Sequence, residues 1–376
     1  MTIKVAVPKE TATGERRVAL VPSVVKQLGQ LGADVLLQKG AGTDSGYDDS
    51  DYENVKVVDT TEELYKEADV VLRVLPPTVE EAGKLREGSV LLGFLTPHEG
   101  DSRIRNLVKR KVTGFSMELV PRITRAQSID ALSSQASIAG YKCALMAANL
   151  SPLLFPMLTT AAGTIRPAKV LVVGAGVAGL QAIATAKRLG AIVEAYDVRS
   201  ATREQVESLG GKFVDTGVKA EGEGGYAREL TDEERKQQQE VLAEHIAKSD
   251  AVITTAAIPG RPAPKIIDTA TVERMKRGAV IIDMAAETGG NCELTQPGKE
   301  VDHNGVVIYG PKNIASTAAT HASEMYSRNL LNLLKLLVKD GELTLNWDDQ
   351  VIADSCLTHD GEVKHAPTRE RLEGGK

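Results

Sequence analysis

Aromatic residues make up only 3% of this 376-residue chain, and tryptophan occurs once. That scarcity argues against the stacking platforms on which single-stranded nucleic acids lie. Positive charge is not in excess either. Forty-five Lys and Arg stand against 51 Asp and Glu, a formal net charge of −6, so the basic footprint of a nucleic-acid partner is missing. Cysteine is rare: Cys143, Cys292 and Cys356 are far apart, show no metal-ligand spacing, and read as reduced, buried thiols. The six histidines do not cluster, and no metal site is expected. No uninterrupted apolar run reaches the ~20 residues that cross a bilayer. The opening MTIKVAVPKE goes straight into a strand-like pattern, so a signal peptide is not expected.

What is present describes an α/β protein. Apolar residues are 42% and charged residues 26% of a chain long enough for two domains. Apolar runs such as IKVAVP, DVLLQ, DVVLRVL and SVLLGFL alternate with helical patterns such as PSVVKQLGQLG and DSRIRNLVKRK. That alternation predicts two doubly wound, parallel-sheet, Rossmann-like domains with helices on both faces. An Ala-rich helix over 134–150 leads into a second domain, and a helix over 322–341 returns the chain to the first. The expected division is 1–135 plus 325–376 around an inserted domain of 136–324, with a cleft between them. In the tail, Asp360-Gly361 signals a hairpin turn.

Gly174, Gly176 and Gly179 form GxGxxG directly after the strand pattern KVLVV and at the start of a helix. The three glycines serve in turn a tight bend, close approach of backbone to a pyrophosphate, and helix–strand packing. The helix N-terminus adds unpaired N–H groups and positive partial charge, with Ala175 and Val177 in the same turn. A second strand ends in Asp197, eighteen residues beyond Gly179, where a carboxylate accepts from an adenosine ribose and repels a 2′-phosphate. NAD(H) is therefore favoured, although Arg199, one residue past Val198, is of a type that can accommodate that phosphate. Asp283 also ends a strand, and reads equally as a cofactor contact or a satisfied strand-end carboxylate.

PRITRAQSIDALSSQ, residues 121–135, holds Arg122, Thr124, Arg125, Gln127, Ser128, Asp130, Ser133, Ser134 and Gln135 with no His, Cys, Lys or Glu. Asp130 or Ser133 could cap the helix that follows. Capping leaves Arg122 and Gln127 unexplained. Further on, Gly222, Gly224 and Gly225 precede Tyr226, and Thr231 with Glu234 makes a capping box opening a charged helix.

VPKETATGERRVALVP (7–22), the 121–135 segment and the glycine fingerprint together resemble the alanine dehydrogenase/transhydrogenase family over nearly the whole chain. The resemblance implies two doubly wound domains with NAD between them, and two activities share that scaffold. An alanine-type dehydrogenase needs an Arg, a Lys and a His. An ungapped placement puts them at Arg17, Leu75 and Thr96, with Arg73 and His98 each two residues away. A transhydrogenase moves hydride directly between two nicotinamides and needs positioning without an acid or base.

PRITRAQSID resembles the loop with which the NAD(H)-binding component of proton-translocating members cradles its nicotinamide. Carried over, Arg122, Gln127, Asp130 and Ser133 hold the carboxamide and ribose, Gln127 reaches toward an incoming NADP(H), and Thr124 and Ser128 join them. The family's mobile Gly-Tyr-Ala loop matches Gly225, Tyr226 and Ala227, implying a lid; Gln238 and Ala257 match further nucleotide contacts. The resemblance further implies NADP(H) on a partner subunit, a homodimer, and membrane-spanning partners, namely the second part of the alpha subunit and the beta subunit of transhydrogenase. The chain would then sit at the cytoplasmic face without entering lipid. The rival readings are the alanine-type dehydrogenase and a catalytically idle NAD-sensing module.

Overall fold

The runs of Val, Ile and Leu become strands buried on both faces, as parallel sheets covered by helices require. A computed structural model describes residues 2–218, 231–257 and 260–374. Its contacts divide the chain into one unit of Met1–Gln135 with Ser316–Lys376 and a second of Ala136–Ala315. Among the described residues, no helix is long and apolar enough to cross a membrane.

In the first unit, six parallel strands are β1 (Ile3–Val7), β2 (Ala33–Gln38), β3 (Val55–Val58), β4 (Val70–Leu72), β5 (Val90–Gly93) and β6 (Thr113–Ser116). They lie in the order β6-β5-β4-β1-β2-β3, and the C-terminal hairpin of Cys356–His359 and Glu362–Val363 adds antiparallel to β6. Asp360 and Gly361 both adopt positive φ, +45° and +79°, in the hairpin turn expected there. The order reverses between β1 and β4, which makes their C-terminal ends the switch point of this sheet.

The second unit is built on β7 (Lys169–Val173), β8 (Ile192–Tyr196), β9 (Lys212–Phe213), β10 (Ala251–Thr254), β11 (Val280–Asp283), β12 (Glu300–His303) and β13 (Val306–Tyr309). Their order is β9-β8-β7-β10-β11-β13-β12, parallel throughout except for β12. The switch point falls between β7 and β10, at the strand end where the glycine fingerprint begins.

Four helices matter for the site: α1 (Ala131–Leu150), α2 (Val177–Arg188), α3 (Asp232–Lys248) and α4 (Ala319–Leu337). Helix α1 starts three residues before the expected 134 because Asp130 caps it: the carboxylate accepts from Ser133 N at 2.9 Å and from Ser133 Oγ at 2.5 Å. Helix α3 opens on the expected capping box, with Glu234 N donating to Thr231 Oγ1 and Thr231 N to Glu234 Oε2. Helix α4 stops at Leu337, short of the expected 341. The chain there turns into a two-residue strand, Val338–Lys339, and reverses through Asp340 and Gly341 at positive φ. Gly140 of α1 lies where a Cβ would sit 2.0 Å from the Ala178 carbonyl oxygen, so α1 packs backbone against backbone on the first turn of α2.

Candidate functional site

The three fingerprint glycines hold three different environments. Gly174 follows β7 at φ +98°, and a Cβ on it would meet Thr255 Oγ1 at 2.6 Å. Gly179 is closed on the other side: its Cβ would lie 1.8 Å from the Gly174 carbonyl oxygen. Gly176 faces open space, with nothing within 4 Å of a Cβ. It is also the N-cap of α2, with no side chain capping the helix and no acidic residue in its first turn. The result is a tight turn, a close helix–strand contact and an open cradle of N–H groups at the positive end of a helix. An anionic phosphate group fits this donor set.

Asp197 sits just past β8 with its side chain only 6% exposed. Its Oδ2 accepts from Ala175 N at 2.8 Å, so the acidic residue braces the turn between the first two glycines. Arg199 closes on the same carboxylate through its backbone N at 2.8 Å, and through Nε and Nη2, each at 2.9 Å. Burial alone would raise the Asp197 pKa. The hydrogen bonds and charge of Arg199 and the bond from Ala175 outweigh it, holding the carboxyl below the usual range. Val177 and Val198 are exposed. Across the switch point, Thr255 N donates to Val173 O and Thr255 Oγ1 to Gly174 O, which ties β10 to the fingerprint turn.

Ala257, after β10, is exposed, and Gln238 on α3 is half-buried. Gly225 and Tyr226, with the expected lid, lie outside the described residues. Asp283, ending β11, is fully buried and accepts five hydrogen bonds, from Thr254 Oγ1, Ala285 N, Asn291 N, Cys292 N and Thr295 Oγ1. Its role is the satisfied strand-end carboxylate. Asn291, which no sequence signal marked, donates from Nδ2 to Ala256 O and Pro264 O and so stitches both ends of the segment after β10.

In the first unit, the 121–135 segment divides its residues by environment. Ala126, Ile129 and Ala131 enter the core, and Ser128 O accepts from Asn329 and Asn332 of α4 at 2.9 and 3.1 Å. Arg125 is taken by Asp349, with Nη1 donating to Oδ2 at 2.8 Å. Gln135 is buried and accepts from Arg17. Asp130 and Ser133 pair with each other at the helix start. Arg122, Thr124, Gln127 and Ser128 remain exposed. Neither the Arg122 nor the Gln127 side chain makes a hydrogen bond among the described residues. The loop's backbone is pinned and Arg125 and Gln135 are engaged, while Arg122 and Gln127 are unengaged among the described residues.

The positions a dehydrogenase would use are differently occupied. Arg17 is buried and bound two ways to Glu15, through Nε at 2.8 Å and Nη2 at 2.6 Å, while Nη1 donates to Gln135 at 2.9 Å. Leu75 is apolar, and Thr96 accepts from Arg103. Arg73 does not stand in. It fills the switch point of its sheet, 2% exposed, donating to Tyr65 Oη at 2.9 Å and pairing with Glu10 and Glu81. Burial would lower its pKa, but Glu10, Tyr65 and Glu81 together raise it. His98 is exposed, its ring 6.1 Å from that of His365.

Two doubly wound sheets, one with its switch point filled by buried charged side chains and one opening on a glycine-lined helix N-terminus, define a dinucleotide-type α/β protein. Similarity to known proteins agrees. The profile described as "Alanine dehydrogenase/PNT, N-terminal domain" matches residues 6–139, and that described as "Alanine dehydrogenase/PNT, C-terminal domain" matches 143–366. The chain belongs to the alanine dehydrogenase/PNT family. It is 47% identical to the first part of the NAD(P) transhydrogenase alpha subunit of Rhodospirillum rubrum, over 96% of this chain and 98% of that one. It is 26% identical to the alanine dehydrogenase of Mycolicibacterium smegmatis, over 96% and 94%. The crystal structure of a transhydrogenase from Sinorhizobium meliloti superposes with a TM-score of 0.85 at 42% identity, covering 97% of this chain and 99% of that one.

Proposed function

We propose that the chain is the NAD(H)-binding component of a proton-translocating NAD(P) transhydrogenase, an oxidoreductase. Hydride passes directly between NAD(H) held here and NADP(H) held on a partner subunit, while membrane-spanning partners, the second part of the alpha subunit and the beta subunit, move protons. The observation that carries this reading is the pairing pattern around 121–135. Arg122 and Gln127 are exposed and unpaired among the described residues, whereas the Arg and the two other positions of the dehydrogenase set are internally bonded, apolar or a threonine. That pattern supports a site for orientation over a site for acid–base work.

When bound, NAD(H) supplies the carbon that gives or takes the hydride. The chain's own residues do the rest. Gly176, Val177 and Gly179 would receive the pyrophosphate on backbone N–H groups, in a turn held by Gly174 N on Tyr196 O and Ala175 N on Asp197 Oδ2, and Asp197, Val198 and Arg199 the adenosine end. Arg122, Thr124, Gln127 and Ser128 would orient the nicotinamide end, with Asp130 and Ser133 fixing the helix start beside them. Gln238 and Ala257 are further contacts. Correct orientation of two reactants is worth ~7–11 kcal/mol of a barrier, which needs no proton donor. The chain would sit at the cytoplasmic face of the membrane through its partners.

The proposal includes a homodimer. The antiparallel pair Leu158–Thr160 and Gly163–Ile165 forms a separate two-stranded sheet, all six residues exposed, next to exposed Leu153, Leu154 and Met157. Edges unpaired among the described residues and an apolar flank are the kind of surface that a two-fold copy could cover.

The test is stopped-flow reduction of an NAD analogue by NADPH, with the purified chain and the NADP(H)-binding component of a related transhydrogenase. A fast burst that collapses in Gln127→Ala supports the reading. No burst from a demonstrated complex that binds NADH would overturn it.

A further inference from the structure

The carboxylate of Asp197 is full. An ionised carboxylate offers about four lone-pair sites. Here Oδ1 accepts from Arg199 N and Arg199 Nε, and Oδ2 from Ala175 N and Arg199 Nη2. Two of these donors are backbone groups fixed by the turn after β8 and by the fingerprint turn. The other two belong to one guanidinium fork, and that side chain is 45% exposed against 6% for its partner. The two halves of the pair are therefore unequal: Asp197 cannot move without disturbing the phosphate cradle, and Arg199 can swing into solvent.

We propose that the Arg199 guanidinium is a latch on the adenosine-ribose subsite, which must release Asp197 before a ribose diol can bind there. This rests on the reading of the chain as an NAD(H) binder and adds a specificity device to it. A diol donates up to two hydrogen bonds to the carboxylate, and the sites it needs are those the fork occupies. Release sets a cation free beside the ribose. Against a free 2′-hydroxyl that cation returns little. Against a 2′-phosphate it forms a charge-assisted pair and offsets the repulsion from Asp197. The same side chain thus weakens NADH binding and softens the rejection of NADPH.

The cost of opening a half-exposed ion pair is small, so the effect is a modest one. Removing the fork should tighten NADH by roughly two- to fivefold and weaken NADPH or leave it unchanged. The measurement is equilibrium binding of NADH and of NADPH, by titration of nucleotide fluorescence, to wild type, Arg199→Ala and Arg199→Lys, with thermal melts alongside. Arg199→Lys keeps a charge without the fork and should show the NADH shift in weaker form. Tightened NADH with a widened NADH-to-NADPH ratio supports the latch. Unchanged or weakened NADH in Arg199→Ala overturns it, as does an equal tightening of both nucleotides, which would mean a general loosening of the turn. If wild type binds no NADH, the functional reading itself falls and the latch with it. If wild type binds and Arg199→Ala binds identically, the latch alone falls.

Discussion

Glu15 and Arg17 form a buried ion pair, 2.6 Å between Glu15 Oε2 and Arg17 Nη2, with side chains 0% and 5% exposed. An arginine so engaged is not free to receive a substrate carboxylate. The purified chain with NAD and L-alanine should produce no NADH above blank in a direct absorbance assay. Removing one partner takes this ion pair from a side chain that stays buried. Glu15→Gln or Arg17→Met should each cost about 3–5 kcal/mol of stability in a urea unfolding curve.

Gly176 and Gly179 should respond oppositely to the same substitution. Gly179→Ala drives a Cβ to 1.8 Å from a backbone oxygen. The helix must move, and the variant should lose about 1–3 kcal/mol or more in the melt. Gly176→Ala meets open space and should melt within about 1 kcal/mol of wild type, yet lose NADH affinity because the methyl enters the cradle. A Gly176→Ala variant with wild-type affinity would remove the pyrophosphate from this turn.

Within 121–135, Asp130 and the pair Arg122 and Gln127 should separate stability from turnover. Asp130→Ala loses an N-cap and should destabilise by about 1 kcal/mol. Arg122→Ala and Gln127→Ala break no side-chain hydrogen bond among the described residues, so their melts should match wild type. Their single-turnover hydride transfer should fall by about 10²-fold. Wild-type rates in both would detach the loop from the chemistry.

The sole tryptophan provides a pH reporter. Trp347 lies over His359, ring centroids 4.5 Å apart, and His359 Nδ1 is 2.9 Å from Thr113 Oγ1. Burial, then the charge of Lys364, lowers the His359 pKa below 6.5; burial, then His98 and Arg371, does the same for His365. A depressed folded pKa means that the unfolded chain takes up protons first as pH falls. The stabilisation from both neutral histidines is complete above 6.5 and is lost as pH drops through their folded values. Chemical denaturation across that range should show the loss. Trp347 emission should be flat above 6.5 and fall below it, because imidazolium quenches indole, and His359→Gln should abolish the step.

The sequence was most readable where the determinants are local. The fingerprint, its strand and helix, the Thr231–Glu234 box and the Asp360-Gly361 turn each lie within a few tens of residues, and each formed as expected. Partners distant in sequence were not readable. Thr255 closes on Gly174 from 81 residues away, and Asn329 reaches Ser128 from 201. Arg73 and His98 looked like possible substitutes for the dehydrogenase pair. Only the buried cluster of Glu10, Tyr65 and Glu81 reveals that Arg73 is fully engaged. Asp197 and Arg199 were both visible, but adjacency could not say whether the arginine would face outward or fold back. The choice between Asp130 and Ser133 as helix cap was likewise open, since both types cap well.

The burial of Asp283 has a consequence for amide exchange. Three of its five donors are backbone N–H groups, at Ala285, Asn291 and Cys292, in segments outside any strand or α-helix. Amides in such segments ordinarily trade their protons with water quickly, because small local openings expose them. Here each opening would strip a fully buried acceptor of its donors. These three amides should exchange as slowly as those of the central strands, with or without nucleotide. The rim of the second sheet beyond β11 would then be set before any ligand arrives.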